Sequence, residues 1–509
     1  MFFKQFSNVL IIPVVLFGLI AFGLVNINGV WQKKLDAEAE GVHLSRQQMS
    51  EELDEAYDLL NRYHPYAHLY RSRKELDLVY AAIKNDIRQD NDLATAYLLH
   101  ARMMASVCDY HTSIFVGEHR LPRAFELYRI KSTLWPVRSR PLEIRDDELM
   151  VEVDGAMRSL VEINGTSQEA LRDMLQAVWP KDGCLPPDTV NTQHFQLLYE
   201  MVLHGMWGER REAAYSYTDR DSTAEIKGKL DFEAKRRRPT RQNKYMSQIQ
   251  LLHQSGFERP QRKSQRGLSV AQPYAFFSPQ KAAVYLHLPD FKSYEAVGND
   301  YKAIFSTIRA HEPKTLILDL RDSGGGNSRT EMLIAALLGV DTSKFVSYNV
   351  YRHGALHLPE NYEPDGMLEN WATSLESEVA QTEPRVGDNH MIAIKPETFD
   401  VPGLESKLYV LIGQRTASAA GILAAQLRQF RGATLVGMPT TVRANRMCAR
   451  APGTFEMPYS KLKLRIPIVC LVDETLPDGR VEPDILIDGY PASLIDRERK
   501  TLEFVLDKL

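Results

Sequence analysis

The sequence predicts an α/β protein, and three stretches predict it. Residues 407–438 read as strand, tight turn, helix and strand: Lys407–Ile412 is an apolar run of strand length and Gly413 to Thr416 break it. Ala419, Ile422, Leu423, Leu427 and Phe430 then recur at helical spacing before a strand at 434–436. Residues 315–338 repeat the plan. Thr315-Leu316-Ile317-Leu318-Asp319-Leu320 is strongly apolar, as suits a strand buried on both faces, and Gly324, Gly325 and Gly326 open the helix that follows. The third stretch, residues 33–118, carries helical periodicities, so a helical region precedes this core.

A chain of 509 residues implies two or three domains, and 44% apolar with 25% charged residues fits a globular protein. A net charge of −4 gives no reason to expect a nucleic-acid partner. Cys108, Cys184, Cys448 and Cys470 form no CxxC pair, which argues against a structural zinc site. In an exported chain they would form one or two disulfides, with three pairings open.

Residues 1–32 read as a membrane segment. Lys4 is the only charge before Lys33, and residues 9–25 are almost entirely apolar. No A-x-A site follows, and the exit is Asn26-Ile27-Asn28-Gly29, so an uncleaved anchor is favoured over a cleaved signal. The long following domains then place the rest of the chain outside the cytoplasm.

In residues 33–118, a helix beginning near Ser50 is broken at His64-Pro65, a second covers 72–87, and a third capped by Asp92 ends near Ser106. Residues 107–115 alternate like a strand edge, with His111 at the junction. Residues 119–232 read as β-rich: two strands in 141–153, a strand and turn at 161–166, and a helix at 168–178. That last pattern resembles the end of a PDZ module, but its Gly-Leu-Gly-Phe carboxylate loop is missing, so the region is PDZ-like at best. Residues 233–272 form a basic linker, read as a solvated loop rather than a lipid-binding patch. In 273–509 a strand at 282–288 and a helix at 299–310 open the large domain. Residues 341–405 read as an irregular excursion, 439–450 as a polar loop, 457–467 as an alternating strand, and 492–507 as a terminal helix.

Ser418 stands where a strand turns into the first turn of a helix. Free N–H groups there and the positive end of the helix dipole favour a developing negative charge. The simpler reading of this serine alone is a helix N-cap. The Gly324–Gly326 turn also presents N–H groups to an anion, yet it lacks GxxxxGK[ST] and GxGxxG and is no phosphate loop.

Several pieces, in order, resemble the serine peptidases of the C-terminal processing (tail-specific) and tricorn-like group. They are Val107-Cys108-Asp109-Tyr110-His111-Thr112, Asp319-Leu320-Arg321-Asp322-Ser323-Gly324-Gly325-Gly326, Thr416-Ala417-Ser418-Ala419-Ala420-Gly421, Val436-Gly437-Met438-Pro439-Thr440, Met457-Pro458-Tyr459-Ser460, and the run from Gly479 to Ile487 containing Pro483-Asp484-Ile485. The resemblance implies a crotonase-like ββα core and an endopeptidase acting on peptides or proteins, without metal or cofactor; it also admits a homo-oligomer. It implies Ser418 as nucleophile, with the N–H groups of Ala419, Gly324 and Gly325 as oxyanion hole. The branch with a Ser–Lys dyad is excluded, because Arg443 stands at the lysine position and arginine does not deprotonate. The other branch implies His111 as base and a C-terminal glutamate, Glu474, with Glu482 as its rival; Asp109 is a further candidate to orient the ring. Gly421, Met438 and Arg443 depart from the family pattern, which keeps an inactive peptide- or lipid-binding relative as the alternative.

Overall fold

A computed structural model of the chain describes residues 42–116, 142–145, 148–154, 156–178, 182–184, 189–190, 212–219, 222–229, 241–259, 272–356, 358–364, 389–487 and 494–509. The expected anchor at 1–32 and half of the basic linker at 233–272 lie outside the described residues. Among the described residues, no helix is long and apolar enough to cross a membrane.

The N-terminal region is helical, as its periodicity predicts. Strand β1 (His43–Ser45) leads into α1 (Arg46–Tyr63), which stops at His64 before Pro65. Helix α2 is Arg73–Asn85, β2 is Asp90–Asp92, and α3 is Leu93–Ala105. Ser45 with Gln48, and Ser72 with Glu75, form capping boxes, while the Asp92 side chain accepts from Thr95 N–H. Residues 107–112 do not continue as a strand. Cys108 adopts a φ of 58° and the Thr112 N–H donates to Asp109 O, so the chain turns, and β3 is only Ser113–Val116.

The β-rich region holds β4 (Leu142–Arg145), β5 (Glu148–Val153), β6 (Ala156–Ile163), β7 (Thr166–Ser167), helix α4 (Gln168–Val178), a 3₁₀ turn (Asp182–Cys184), β8 (Thr189–Val190), β9 (Glu212–Asp219) and β10 (Ser222–Lys229). These strands form an antiparallel sheet in the order β10-β9-β6-β5-β4-β8, with β7 on β6. Helix α5 (Arg241–Gln254) follows, and it corrects the solvated loop expected within 233–272: Leu252 and Phe257 are buried against the sheet, which gives this segment its place.

The third region has two sheets. Its elements are β11 (Tyr274–Ser278), β12 (Ala283–His287), α6 (Tyr294–Ala310), β13 (Thr315–Asp319), α7 (Ser328–Leu337), β14 (Ser347–Arg352), β15 (Tyr362–Pro364), β16 (Asn389–Ile394), β17 (Lys407–Ile412), α8 (Ala419–Arg431), β18 (Thr434–Gly437), β19 (Arg446–Glu456), β20 (Leu462–Asp473), β21 (Ile485–Leu486) and α9 (Leu494–Leu506). The first sheet runs β11-β12-β13-β17-β18-β21 and is parallel from β12 onward. Alternate residues of β13 face opposite ways. Leu316 and Leu318 pack with Leu333, Leu423 and Leu427 of α7 and α8, and Ile317 packs with Leu252, Leu502 and Val505 of α5 and α9. Continuous apolar strands are the sequence signature of such a covered sheet.

The second sheet runs β15-β19-β20-β14-β16, with β3 also paired to β20. It corrects three expectations. The 341–405 stretch contributes β14, β15 and β16 instead of being irregular throughout. Strand β19 takes over residues 446–450, read as loop. The strand expected at 457–467 begins at Leu462, because Met457 to Lys461 make a turn in which the Lys461 N–H donates to Met457 O. Two disulfides form: Cys448–Cys470 joins β19 to β20, and Cys108–Cys184 ties the turn before β3 to the 3₁₀ turn.

Candidate active site

The parallel sheet places Ser418 and the glycine turn side by side, because β13 and β17 are neighbours and both end at the same edge. Three bonds lock the two turns together: Leu320 N–H to Leu411 O, Ala417 N–H to Ser323 O at 3.0 Å, and Thr416 Oγ1 to Leu320 O at 2.8 Å. Beneath them, Asp319 accepts from the Arg321 backbone N–H and Nε and from Tyr285 Oη, with Arg321 itself fully buried. Burial alone would raise the Asp319 carboxyl, but the Arg321 guanidinium outweighs it and holds the group at about 2.

Ser418 holds the N-cap position of α8 but does not cap it with its side chain. Its backbone sits at φ 54°, ψ −133°, outside the regions an L-residue favours. Such strain persists only where the surroundings enforce it, and a nucleophile elbow is one such place. The hydroxyl is half-buried and donates to Met447 Sδ at 3.0 Å.

Of the expected oxyanion donors, Gly325 lies against Ala419 and Ser418, while nothing lies within 4 Å of a Cβ built on Gly324. Gly325 has φ 83°, and a Cβ there would come within 2.6 Å of both Ala417 O and Ala419 N. Only glycine permits that approach. Among the described residues, the N–H groups of Ala419, Gly324 and Gly325 donate no backbone hydrogen bond. The Gly325 carbonyl is fixed by Phe291 N–H at 2.8 Å. Gly421, where an acid was expected, has a packing reason: a Cβ there would lie 3.1 Å from Val442 Cγ2.

His111 lies on another element. It is half-buried in the turn before β3, its ring meets the Tyr110 ring edge-on, and its Nδ1 is buried without a hydrogen-bond partner. No hydrogen bond joins it to Ser418 in this structure. Burial first, and the Arg465 charge, push His111 below its usual range, with Asp109 opposing. The shared strand face expected for Asp109 and His111 is replaced by this turn. The Asp109 carboxylate instead receives His64 Nε2 at 3.4 Å and Thr112 Oγ1 at 2.5 Å. Burial acts to raise Asp109, but His64 foremost, with His111 and Thr112, brings it below the carboxylate norm.

Both glutamate candidates are exposed. The Glu474 N–H donates to Val346 O at 2.9 Å. Glu482 pairs with Arg480 at 2.7 Å. Arg443 is a structural cation: it meets Asp478 at 2.7 Å and lies 4.8 Å over the Tyr70 ring. Donor atoms of His64, Asp109 and Cys448 lie within 4.8 Å of one another, but the Cys448 sulfur is committed to Cys470.

Sequence reasoning missed Met447 and Asp182. Met447 falls in the stretch 439–450, read as a polar loop. Asp182 accepts the Tyr110 and Arg443 N–H groups across separations that no local pattern encodes.

Residues 282–485 match the model of peptidase family S41, spanning the glycine turn, Ser418 and the Arg443 loop. This segment is similar to the S41 serine peptidases. The S41 match begins at β12, so the helical and β-rich regions lie outside it. Mature CPAF complexed with lactacystin has a similar fold, at 13% identity over 91% of this chain and 97% of that one, with a TM-score of 0.52. Mature CPAF alone gives 13%, 91%, 96% and 0.53. The photosystem II D1 C-terminal processing protease aligns at 14% identity over 89% of this chain and 97% of that one, with a TM-score of 0.39. No curated protein matches the chain in sequence.

Proposed function

We propose that this chain is an active serine endopeptidase that cleaves peptides or proteins through an acyl-enzyme on Ser418. The observation that carries this reading is the strained, uncapped Ser418 set beside Ala419 N–H and the Gly325 backbone. His111 takes the Ser418 proton as Oγ attacks the peptide carbonyl. The developing oxyanion is met by the N–H of Ala419 and one from the Gly324–Gly325 turn. The protonated base then gives its proton to the leaving amine, and a water activated by His111 releases the acyl group. The lowered His111 pKa keeps the ring neutral, and so able to accept a proton, at neutral pH. Closure of His111 onto Ser418 accompanies substrate binding, since catalytic contacts are often loose in a free enzyme. Glu474 remains the acid assigned to orient the ring in that closed state.

The protein works outside the cytoplasm on a crotonase-like core, anchored by residues 1–32. Two formed disulfides support an oxidising compartment. A second reading, an inactive relative that binds peptide, is favoured by one contact: Met447 Sδ sits on the Ser418 hydroxyl. A fluorophosphonate probe applied to the full chain in detergent separates the two. The peptidase reading expects labelling that disappears in both Ser418→Ala and His111→Ala; an unlabelled, folded wild type establishes the inactive reading.

A further inference from the structure

We propose that Asp182 is a positioning residue, whose carboxylate ties the turn carrying His111 to the loop packed over Ser418. The inference rests on the peptidase reading and adds a third element to the site. Asp182 Oδ1 accepts the Tyr110 N–H at 2.7 Å, one residue before His111. Its other oxygen accepts the Arg443 N–H at 3.0 Å. The Arg443 loop is joined to the nucleophile turn in turn: Thr441 Oγ1 donates to Gln414 O at 3.0 Å, and Val442 packs against Gly421 of α8. One carboxylate therefore spans two segments that are more than three hundred residues apart in sequence.

The surrounding structure is built to hold it. The Cys108–Cys184 disulfide fixes the 3₁₀ turn to the base turn, and the Gly183 N–H donates to Cys108 O at 3.0 Å. Gly183 has φ 78°, and a Cβ there would meet the Arg443 guanidinium at 3.2 Å. A carboxylate is the group that suits this place, because an ionised one offers acceptors on both oxygens, whereas an amide would turn an NH₂ toward one of the two N–H groups.

The charged and titratable groups around Asp182 come from every neighbouring element. Asp109 belongs to the base turn and is bonded to His64. Arg443 comes from the loop with its partners Asp478 and Tyr70. Tyr66 and Arg446 line the same small cavity. Burial foremost and the Asp109 charge push Asp182 up to about 7, against the two N–H bonds and Arg443. Protonation removes one good acceptor and loosens one of the two tethers. The tether is therefore intact above pH about 7 and weakens below it.

The test measures the fluorophosphonate labelling rate of the full chain from pH 5 to 9, with amide exchange at Tyr110 and Arg443 in parallel. As pH falls, the wild type should lose labelling rate with a midpoint near 7, and one of the two amides should lose protection, relative to its intrinsic exchange, over the same range. Asp182→Asn should label about ten- to a hundredfold more slowly, retain only the lower-lying limb of His111, and lose protection at one of the two amides. Asp182→Glu should restore part of the rate. Wild-type rate and pH profile in Asp182→Asn, or unchanged protection at both amides, overturn the proposal. Should Asp182→Asn fail to fold, the wild-type profile decides: a flat response near 7 in both rate and exchange overturns it. Should the wild type not label at all, the peptidase reading falls, and exchange in Asp182→Asn alone judges the tether.

Discussion

The two sides of the site are built by different means. The Ser418 side is local. Each of its turns follows a parallel strand and opens a helix, and adjacent strands bring the two turns together. The His111 side is assembled from afar: a disulfide, a carboxylate and a strand added to β20 fix a turn that has little structure of its own. A nucleophile held in a strained backbone needs a rigid frame, and the parallel sheet with helices on both faces supplies one. The His111 side rests on a few long-range bonds, and on the proposed reading those bonds are where solution conditions act on activity.

The largest effects should fall on the local side. Ser418→Ala should abolish probe labelling and lower peptidase turnover by about 10⁶-fold, as for other serine nucleophiles, with the fold retained by circular dichroism. Residual turnover within tenfold of wild type would break the assignment of the nucleophile side.

Next comes the frame beneath it. Arg321→Met leaves the Asp319 carboxylate buried and unpaired, and should cost roughly 3–5 kcal/mol in denaturant unfolding. In the wild type the same pair should show in the pH dependence. Asp319 is lowered from 3.8 to about 2, so its contribution is complete above pH about 4 and is lost as pH falls toward 2. That shift corresponds to about 2 kcal/mol. A flat acid profile would remove the pair from the frame.

Gly325→Ala tests the contact between the two turns. Its Cβ would collide with Ala417 O and Ala419 N, so turnover should fall about 10²- to 10³-fold, in line with loss of one oxyanion donor. A variant that folds and turns over normally would exclude this turn from the oxyanion hole.

The smallest expected effect sharpens the comparison most. Met447→Leu removes the sulfur acceptor from the Ser418 hydroxyl while keeping its bulk. One modest hydrogen bond is worth about 1 kcal/mol, so probe labelling should rise about fivefold. A slower rate would mean that the sulfur helps to orient the nucleophile instead of holding it back.

Legibility followed the same division. The helices of the N-terminal region were readable, and so was the Asp92 cap, which bonds three residues along; the first helix, though, starts at Arg46 behind a Ser45 cap, ahead of the Ser50 start read from the sequence. Strands β13 and β17 were readable because burial on both faces demands unbroken apolar runs. The strands of the second sheet were not. Strand β14 runs Ser347-Tyr348-Asn349-Val350-Tyr351-Arg352 and gains its place from pairing with β16 and β20, a non-local cause. The turn at 107–112 alternates like a strand, yet the disulfide and the Asp109 bonds to His64 and Thr112 hold it bent.

The order of residues alone established the strand–turn–helix units, the serine at the head of one and the glycines at the head of the other, because those patterns arise from backbone geometry and burial over a few residues. It also established that Arg443 is no base, since guanidinium chemistry does not depend on position. Folding settled the rest. It put Ser418 into a strained backbone with no side-chain capping bond, laid Met447 against its hydroxyl, chose one disulfide pairing of three, and set Asp182 between the Tyr110 and Arg443 N–H groups. Each of these is a contact between segments far apart along the chain. The free energy of such contacts comes from packing and from satisfying buried polar groups, and these exist only once the elements have come together.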